Sequence, residues 1–507
     1  MAKKAKPVKE KTKLKIADDE PKKGKKRDLE LADDEPKGKK SKKDKLKASS
    51  SFSGFDPSSL YTDSIDEISR RQGVDSDLMD NLKPTSTGCL ALDLLENGGL
   101  RPGLYIHAGW EQTCKTTGCF QIMASAVKQK VPLIALWDFE GSSATSKPYI
   151  ASIMRTMGLK VTVRDLFGKK DKETGKWIQK PLVRYTASTV GEKFFDWLSE
   201  ILRTLPDKKY VADKWWFVFD DTKVNKAKYG QYANDSMPKK YGKGIWVEAQ
   251  DGNPQAVIII DSFAAMNPAA NDDEEQNKSL GLQARMFAAN LPRIKGRLAQ
   301  KLVTVVGTNQ LRDIPMAMYG PKEQEAAGKA LRYNSDVRVW WNSRTSGMPF
   351  NPKFNDERLE VERTWEDDGK DMYRYIQIVS KKNKLGGGAG RKTWIRLWVS
   401  DKNGDARGFD PVFDTIHFLK ETGQLSGKRK KFVLDLHGIG KAKKPIDWSG
   451  LKMWILGDKD DKIKISKALG FKPMDLRKFC FNQVGTGKAD ELWALARNNG
   501  KDVEEDE

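Results

Sequence analysis

Between about residue 100 and residue 341, apolar residues form short, nearly continuous runs that alternate with stretches of helical spacing. A strand covered by helices on both faces is apolar throughout, whereas a strand with one solvated face alternates between apolar and polar residues. The runs typical of such covered strands are residues 104–108, 133–138, 256–261, 302–308 and 337–341. The pattern predicts an α/β fold with a central, mostly parallel sheet.

Composition and spacing divide the chain into four parts. Residues 1–50 are rich in lysine, contain a direct repeat and predict a disordered basic tail. Residues 51–83 are expected to form an N-terminal oligomerisation segment. Helical spacing within it could pack on the chain's own core or on that of a neighbour. The core is expected to span 84–423, and 424–507 to form a small basic C-terminal domain with an acidic tail.

An insertion at about 206–253 separates a predicted helix of the core from the next strand, and it is rich in aromatic residues and lysine. Its most notable aromatic residues are Trp215, Trp216, Tyr229, Tyr232 and Trp246. These rings could stack on nucleic-acid bases, or they could form a small aromatic core of their own.

The charge balance points to a polyanionic partner. The formal net charge is +21 and the pI is about 9.4. Residues 1–47 contain 19 basic and 10 acidic residues, so the rest of the chain is basic as well. Nucleic acid is the favoured partner over a membrane, because no basic amphipathic helix, signal peptide or membrane span stands out. The four cysteines show no C-x-x-C pairing, which indicates an intracellular protein without a disulfide framework or zinc site.

A run after the first predicted strand matches a nucleotide phosphate-binding loop, G-x-x-x-x-G-K-[ST], at all but one position. It comprises Gly109, Trp110, Glu111, Gln112, Thr113, Cys114, Lys115, Thr116 and Thr117. In such a loop, main-chain N–H groups surround phosphate, the lysine reaches the outer phosphates and the hydroxyl holds Mg²⁺. Lys115 and Thr116 supply these groups, whereas Cys114 replaces the second glycine and lacks its conformational freedom. Taken alone, the run is also compatible with a chance match.

Polar residues at the ends of other predicted strands support a nucleotide site, because ligands of open α/β sheets bind at the carboxyl ends of the strands. Asp261 is positioned to hold the hydration shell of Mg²⁺ opposite Thr116. Glu140 could orient a water for attack on the γ-phosphate, and Gln310 could sense that phosphate. The structural alternatives are a buried strand that merely ends in an acid, and an ordinary capping or surface acid.

Six motifs occur in the order and approximate spacing of the RecA recombinases, and the chain most resembles bacterial RecA and the phage UvsX branch. The motifs are residues 86–93, 138–140, 260–262, 281–286, 308–312 and 382–384. Residues 318–338 are similar to the second DNA-binding loop of RecA and its return strand, and 404–423 to the end of the UvsX core. The resemblance covers about 84–423 and implies a RecA-like P-loop ATPase core.

The resemblance implies a role for each matching residue, with ATP and Mg²⁺ as cofactors. Lys115 and Thr116 would bind phosphate and Mg²⁺, while Asp261 would support the metal. The remaining assignments are Glu140 for activating water, Gln310 for sensing the γ-phosphate, Tyr149 for stacking on adenine, and Lys382 and Lys384 for reaching the nucleotide of an adjacent subunit. A solvated basic turn is the alternative for the two lysines. UvsX-like loops also lack the second glycine, so Cys114 bears on hydrolysis more than on binding.

DNA would lie along two loops, at about 267–279 and 312–332. The first contains an acidic run, which is unusual for a DNA contact. The candidate DNA-binding residues are Arg285, Arg312, Met316, Tyr319, Gly328, Lys329 and Arg332. Tyr319 or Met316 could wedge between bases, or either could pack against a neighbouring subunit.

The C-terminal part offers two weaker signals. Residues 436–441 are faintly similar to the hairpin of helix-hairpin-helix modules, and a plain glycine turn is the alternative. The acidic end, 502–507, resembles the tail that masks DNA-binding surfaces in RecA.

Together these features predict an ATP-dependent DNA recombinase that forms filaments on single-stranded DNA and pairs it with duplex DNA. The expected partners are DNA, further copies of the chain and possible mediator or single-strand-binding proteins. The expected location is the cytoplasm or nucleoid, with a phage origin open. An ATP-gated scaffold that does not hydrolyse ATP and a helicase or loader with the same core are the competing hypotheses.

Overall fold

The structure, a computed structural model, describes most of the chain from residue 82 onwards. The described ranges are 82–144, 146–212, 214–237, 242–248, 253–269, 281–314, 323–342, 372–400, 408–428, 431–485 and 489–499. The predicted tail, nearly all of the N-terminal segment, the acidic end, Met316 and Tyr319 lie outside them. Within those ranges, the helices are too short or too polar to cross a membrane.

Strands and helices alternate through the first part of the chain. The strands are β1 (Gly103–Gly109), β2 (Leu133–Asp138), β3 (Lys169–Lys170), β4 (Trp177–Gln179), β5 (Arg184–Ala187), β6 (Lys208–Ala212), β7 (Trp215–Phe219), β8 (Gly244–Glu248), β9 (Ala256–Asp261), β10 (Val303–Asp313), β11 (Glu323–Glu325), β12 (Val337–Asn342), β13 (Met372–Asn383), β14 (Lys392–Ser400), β15 (Gly408–Phe409), β16 (Leu425–Lys428), β17 (Lys431–Leu436) and β18 (Gly440–Lys441). The α-helices are α1 (Leu90–Leu95), α2 (Lys115–Lys128), α3 (Lys147–Thr156), α4 (Val163–Phe167), α5 (Gly191–Thr204), α6 (Lys223–Tyr229), α7 (Leu282–Gln300), α8 (Gly328–Asn334), α9 (Pro411–Glu421), α10 (Trp448–Leu456), α11 (Lys459–Leu469), α12 (Leu476–Gln483) and α13 (Ala489–Asn499).

The five apolar runs predicted as strands become β1, β2, β9, β10 and β12 of one central sheet. The order across this sheet is β15-β14-β13-β12-β1-β10-β9-β2-β5, and β11 pairs with β10 outside that order. Pairs from β12 to β5 are parallel, whereas β12 to β15 pair antiparallel. The predicted α/β class with a mostly parallel sheet is confirmed. The antiparallel extension was not predicted, because β13 mixes polar with apolar residues.

Alternate residues of the central strands pack into two separate cores. On β1, Tyr105 packs with α2 and α3, while Ile106 packs with α5 and α7 on the other face. Ile259 and Ile258 of β9 divide in the same way. Burying a large apolar side chain contributes about 1.5–3 kcal/mol, so the sheet is stabilised from both faces. Because these strands are parallel, their carboxyl ends meet at one edge of the sheet.

The aromatic insertion forms its own antiparallel sheet, in the order β6-β7-β8. Trp216 is buried in the small core of this sheet, and Tyr229 packs against that core. Trp246 is also buried, but its ring packs on Phe217 at 5.2 Å between centroids. Tyr232 is exposed. Of the two interpretations of these rings, a small core within the insertion therefore describes Trp216 and Tyr229.

The C-terminal part packs directly on the core through Asp414 of α9. Its carboxylate accepts hydrogen bonds from the main-chain N–H groups of Leu90 and Ala91, at 2.9 and 3.1 Å, at the start of α1. It also pairs with Arg477 of α12 at 2.8 Å, and Arg477 donates to the carbonyl of Gly88 at 3.0 Å. One buried carboxylate thus joins elements from the beginning, the end and the C-terminal extension of the core.

Residues 436–441 connect β17 to β18, and Leu436 pairs with Gly440 across the turn. Gly438 and Gly440 both have positive φ, at 81° and 107°, which favours glycine at these positions. A plain glycine turn, the second alternative from the sequence, describes this segment.

Candidate functional site

The phosphate-binding motif forms the connection between β1 and α2. Cys114 is the residue immediately before α2 and has left-handed backbone angles, φ 59° and ψ 26°. Gln112 also has a φ of 59°. The left-handed region costs an L-residue about 1–2 kcal/mol, so the loop takes a conformation that would suit glycine despite the side chain of Cys114. Replacement of the second glycine therefore leaves the turn in a left-handed conformation.

The side chain of Lys115 folds back along this loop. Its Nζ donates to the carbonyl of Trp110 at 2.6 Å and lies 3.4 Å from the hydroxyl of Thr113. Burial lowers the pKa of Lys115, and the negative charges of Glu140 and Asp261 partly oppose that shift. The ammonium group is thus close enough to Glu140 and Asp261 for their charges to act on it.

Asp261, at the end of β9, joins the loop to β10. Its Oδ1 accepts hydrogen bonds from the hydroxyls of Thr116 at 3.1 Å and Thr308 at 2.7 Å. Its Oδ2 is buried and accepts no hydrogen bond from any described residue. Burial, together with the negative charge of Glu140, raises the pKa of Asp261 from 3.8 to about 6, although the hydrogen bonds from Thr308 and Thr116 oppose this shift. A carboxylate oxygen beside a threonine hydroxyl is the donor set that Mg²⁺ prefers, so these residues fit the metal.

Glu140 lies in the turn after β2, and two bonds hold it beside Asp261. Its Oε1 accepts a hydrogen bond from the hydroxyl of Ser262 at 2.6 Å. Its main-chain N–H donates to the carbonyl of Asp261 at 3.2 Å. The carboxylate is on an exposed residue, open to the edge of the sheet. Sequence reasoning treated Ser262 only as part of a motif and did not predict its contact with Glu140.

Asp138 fixes the turn that carries Glu140. Its buried carboxylate accepts from the main-chain N–H groups of Gly141 and Ser143, at 2.8 and 2.9 Å. It also accepts from the hydroxyl of Tyr185 on β5, at 3.0 Å. Asp138 is therefore a structural residue, and the neighbouring acid is the one left open to chemistry.

Gln310 lies directly beside the beginning of the phosphate loop, because it is in register with Gly109 across the β1–β10 pair. Its side chain is partly exposed. Its main-chain carbonyl accepts a hydrogen bond from the N–H of Ala326 at 2.9 Å. Asn309 donates from its side chain to the carbonyl of Ala326 at 3.1 Å. Both residues connect the edge of the sheet to the segment that precedes α8.

Tyr149 of α3 lies at the far end of the phosphate loop. Its hydroxyl is 2.8 Å from the hydroxyl of Thr117, and its ring packs edge-on against Phe120 at 6.3 Å between centroids. Burial raises the pKa of Tyr149. The sequence-predicted adenine residue is therefore adjacent to the loop.

Lys382 and Lys384 lie away from the loop of their own chain. Lys382 is in register with Arg338, which is in register with Ile106, three residues before the loop begins. At about 3.3 Å per residue, Lys382 is roughly 10 Å from the first loop residue along the strand direction. Lys384 is exposed and continues in the direction away from the loop.

The ammonium of Lys382 is engaged at the end of α8. It donates to the carbonyls of Arg332, Tyr333 and Ser335 at 2.9, 3.0 and 2.5 Å. Burial lowers its pKa to about 8, helped by the positive charges of Lys384 and other nearby basic residues. A solvated basic turn describes Lys384 but not Lys382.

Arg374 of β13 is a loop contact that sequence reasoning missed. Its guanidinium donates to the carbonyl of Gln112 and approaches the sulfur of Cys114 at 4.0 Å. A single arginine in a strand more than 250 residues after the loop carries no sequence signal, since only the pairing of β13 with β12 brings it here. The loop therefore receives a second cation besides Lys115.

The described DNA candidates lie near the end of β10, on α7 and on α8. Arg312 is exposed where β10 pairs with β11, so the second predicted loop begins as a hairpin. Gly328 begins α8 with a φ of 79°, and a Cβ there would lie 3.1 Å from the Cβ of Ala284. Lys329 is exposed on α8, and Arg285 is exposed next to Ala284 on α7.

Arg332 is the fifth described DNA candidate, and it lies one helical turn after Lys329. Its side chain is partly buried, and its carbonyl accepts from Lys382. The structure therefore brings the described candidates Arg285, Gly328, Lys329 and Arg332 to two adjoining helices.

Known proteins match the central part of this chain. Residues 248–349 match the family model of the RecA N-terminal domain. Protein RecA of Thermus aquaticus is 27% identical over 188 residues, which are 37% of this chain and 48% of that protein. Protein RecA of Paenarthrobacter aurescens is 39% identical over 84 residues, 16% of this chain and 38% of that protein. Protein RecA of Mycoplasma mycoides subsp. mycoides SC is 37% identical over 90 residues, 18% and 26% of the two chains.

The chain spans about half or less of the length of these curated relatives. The segment that matches the family model contains Asp261, Gln310 and the start of α8, and it ends before Lys382. It therefore includes β9 and β10, the two central strands whose ends adjoin the phosphate loop. Over its central part the chain is therefore similar to RecA proteins, and the α/β fold agrees with that similarity.

Proposed function

We propose that this protein is an ATP-dependent DNA recombinase, which assembles on single-stranded DNA and pairs it with homologous duplex DNA. The observation that carries the proposal is the meeting of Thr116, Asp261 and Glu140 at the carboxyl edge of the sheet. The hydroxyl of Thr116 and the unpaired Oδ2 of Asp261 supply oxygen donors side by side. The acid beside them, Glu140, is held by Ser262.

Each residue of the site has a separate task in this proposal. Thr116 and Asp261 would hold Mg²⁺, which would neutralise charge on the triphosphate. Lys115 exchanges its bond to the carbonyl of Trp110 for the outer phosphates, which a charged acceptor favours. Glu140 orients the attacking water and takes its proton, since it is exposed beside the metal-binding acid. Tyr149 supplies a flat surface for the adenine ring.

The same edge of the sheet could couple nucleotide to DNA. Gln310 lies beside the phosphate loop, and its main chain bonds to Ala326 next to α8. A change in contact between Gln310 and the γ-phosphate would therefore act on the segment that carries Lys329 and Arg332. These cations, with Arg285 and Arg312, would contact the phosphates of DNA, which requires charge but no sequence readout.

The position of Lys382 and Lys384 supports an assembly of several copies. Lys382 lies roughly 10 Å before the phosphate loop of its own chain along the strand direction, and Lys384 lies further from that loop. A neighbouring copy is therefore the molecule whose nucleotide they would contact. We propose that the segment 51–83 serves this assembly and that the C-terminal part, 424–507, is a small basic domain that packs on the core.

The test is ATP hydrolysis by the full chain with and without single-stranded DNA, together with electron microscopy of the same samples. We expect DNA-stimulated hydrolysis in the wild type, its loss in Glu140→Gln, and helical filaments on DNA for both proteins. Filaments without stimulated hydrolysis in the wild type would indicate an ATP-gated scaffold instead. Closed rings would indicate a helicase or loader. A protein that neither assembles nor binds DNA would overturn the proposal.

A further inference from the structure

A basic hairpin projects between α4 and β5, at the end of the central sheet. We use the name basic hairpin for residues 168–184, which contain β3 and β4. This segment has six basic and two acidic residues. The basic residues are all exposed, and none forms an ion pair with another described residue: Lys169, Lys170, Lys172, Lys176, Lys180 and Arg184.

One of the two acids is already used inside the hairpin. The carboxylate of Asp171 accepts from the N–H groups of Thr174 and Glu173, at 2.7 and 3.1 Å, and from the hydroxyl of Thr174 at 2.9 Å. These hydrogen bonds, chiefly that from the Thr174 N–H, lower the pKa of Asp171. The carboxylate of Asp171 therefore closes the turn through these hydrogen bonds and does not pair with the lysines of the hairpin.

The hairpin is fixed to the core. Gln179 donates to the carboxylate of Asp165 at 2.8 Å, and the N–H of Leu182 donates to the carbonyl of Asp165 at 3.2 Å. Gly168 has a φ of 72°, and a Cβ there would lie 2.7 Å from the ring of Trp177. The basic side chains therefore project from an ordered support.

The hairpin also exposes large apolar side chains among its lysines. Trp177 is 37%, Ile178 56% and Leu182 48% exposed. Lys170 lies 4.7 Å and Arg184 5.3 Å from the centre of the Trp177 ring. Cation–π contacts hold both charges at this ring, so the side chains present charge and apolar surface together.

This surface is separate from the loops proposed above to contact DNA. The basic hairpin leads into β5, and β9 and β2 lie between β5 and β10. With neighbouring strands about 4.8 Å apart, β5 is roughly 14 Å from the strand that carries Arg312. A contact here would therefore be additional to those loops.

We infer that the basic hairpin is a second, sequence-independent binding surface for the sugar–phosphate backbone of DNA. Charge complementarity selects this occupant, because unpaired lysines on a two-stranded ribbon match closely spaced phosphates. A two-stranded ribbon is also narrow enough to enter the major groove of a duplex. The inference rests on DNA as the proposed partner but not on ATP hydrolysis or filament formation.

The test compares the full-length wild type with the triple variant Lys170→Gln/Lys172→Gln/Lys176→Gln. Binding to one duplex of random sequence and to one of its single strands is measured as a function of salt concentration. A matched control, Lys223→Gln/Lys228→Gln/Lys243→Gln, removes the same charge from exposed positions of the aromatic insertion. Circular dichroism and thermal unfolding confirm that each variant is folded.

We expect the hairpin variant to bind duplex DNA at least tenfold more weakly near physiological salt, with a smaller change in the control. Each phosphate contact contributes about one unit to the slope of log affinity against log salt, so the slope should become shallower by about two to three units. Equal slopes for the hairpin variant and the control would overturn the inference. If the wild type binds DNA without hydrolysing ATP, the recombinase proposal fails while the hairpin result remains decisive.

Discussion

The hydroxyl of Ser262 donates a hydrogen bond to Oε1 of Glu140 across 2.6 Å, from the end of β9 to the turn after β2. Ser262 directly follows Asp261, the candidate metal residue. Two consecutive residues at the end of one strand therefore supply the proposed metal residue, Asp261, and the hydroxyl that holds the proposed base.

Ser262→Ala removes this bond without removing either acid. We expect kcat for ATP hydrolysis to fall about tenfold with little change in KM, because a base that is no longer oriented loses part of its contribution in the transition state. Steady-state kinetics on the full chain with DNA measure both constants. Unchanged kcat, with Glu140→Gln inactive, would show that Ser262 does not position the base.

Asp261→Asn should separate stability from metal binding. The pKa of Asp261 is raised from 3.8 to about 6, so its ionised form opposes folding fully above about pH 6 and not below pH 3.8. At pH 7 the asparagine variant should therefore have a free energy of unfolding that is larger by up to about 3 kcal/mol, and it should unfold at a higher temperature. Mg²⁺-dependent ATP binding should be lost, and in the wild type it should weaken as the pH falls below about 6. Calorimetry and thermal unfolding check both parts; a variant less stable than wild type at pH 7 would contradict the first.

Arg374→Gln should raise KM for ATP about tenfold while kcat changes little. The guanidinium supports the carbonyl of Gln112 in the phosphate loop, and a hydrogen bond to a charged group contributes about 1.5–3 kcal/mol. Arg374→Lys keeps the charge but not the planar donor group, so it should restore binding only in part. Full recovery with lysine would mean that charge alone matters, and an unchanged KM for Arg374→Gln would remove the residue from the site.

Lys382→Ala and Lys384→Ala should differ in stability, although the two residues are close in sequence. Lys382 satisfies three carbonyls at the end of α8, whereas Lys384 is exposed. Loss of the Lys382 bonds should reduce the free energy of unfolding by about 1–3 kcal/mol, while an exposed lysine contributes about 0.5 kcal/mol or less. Chemical denaturation of both variants measures the difference. Equal stabilities would mean that the Lys382 contacts are dispensable.

Glu96→Gln tests a buried acid outside the nucleotide site. Both oxygens of Glu96 are buried without a hydrogen-bond partner among the described residues, and burial raises its pKa from 4.5 to about 8. Its protonated form supports folding fully below pH 4.5, and this contribution is lost as the pH rises to about 8, by up to about 1.4 kcal/mol per pH unit. The glutamine variant should therefore show a flatter decline in stability between pH 5 and pH 8. Denaturant titrations across that range measure the slope, and parallel curves for both proteins would exclude Glu96 as its source.

The positions of the central strands could be predicted because burial on both faces leaves continuous apolar runs in the sequence. The loop motif and the acids at strand ends were predictable for a related reason. Parallel strands bring their carboxyl ends to one edge, so Asp261 and Glu140 had to approach the loop once the sheet formed. Residue roles at that edge stay predictions for the experiments above.

The tertiary structure alone decided which side chains touch. Arg374 reaches the phosphate loop only because β13 pairs antiparallel with β12, and Ser262 reaches Glu140 only because β9 lies beside β2. It also showed that the ammonium of Lys382 donates to main-chain carbonyls at the end of α8, whereas Lys384 is exposed. The sequence by itself determined the class of fold and the residue types at the strand ends, since these follow from local periodicity. Contacts between distant residues depend on strand order and register, which no local pattern encodes.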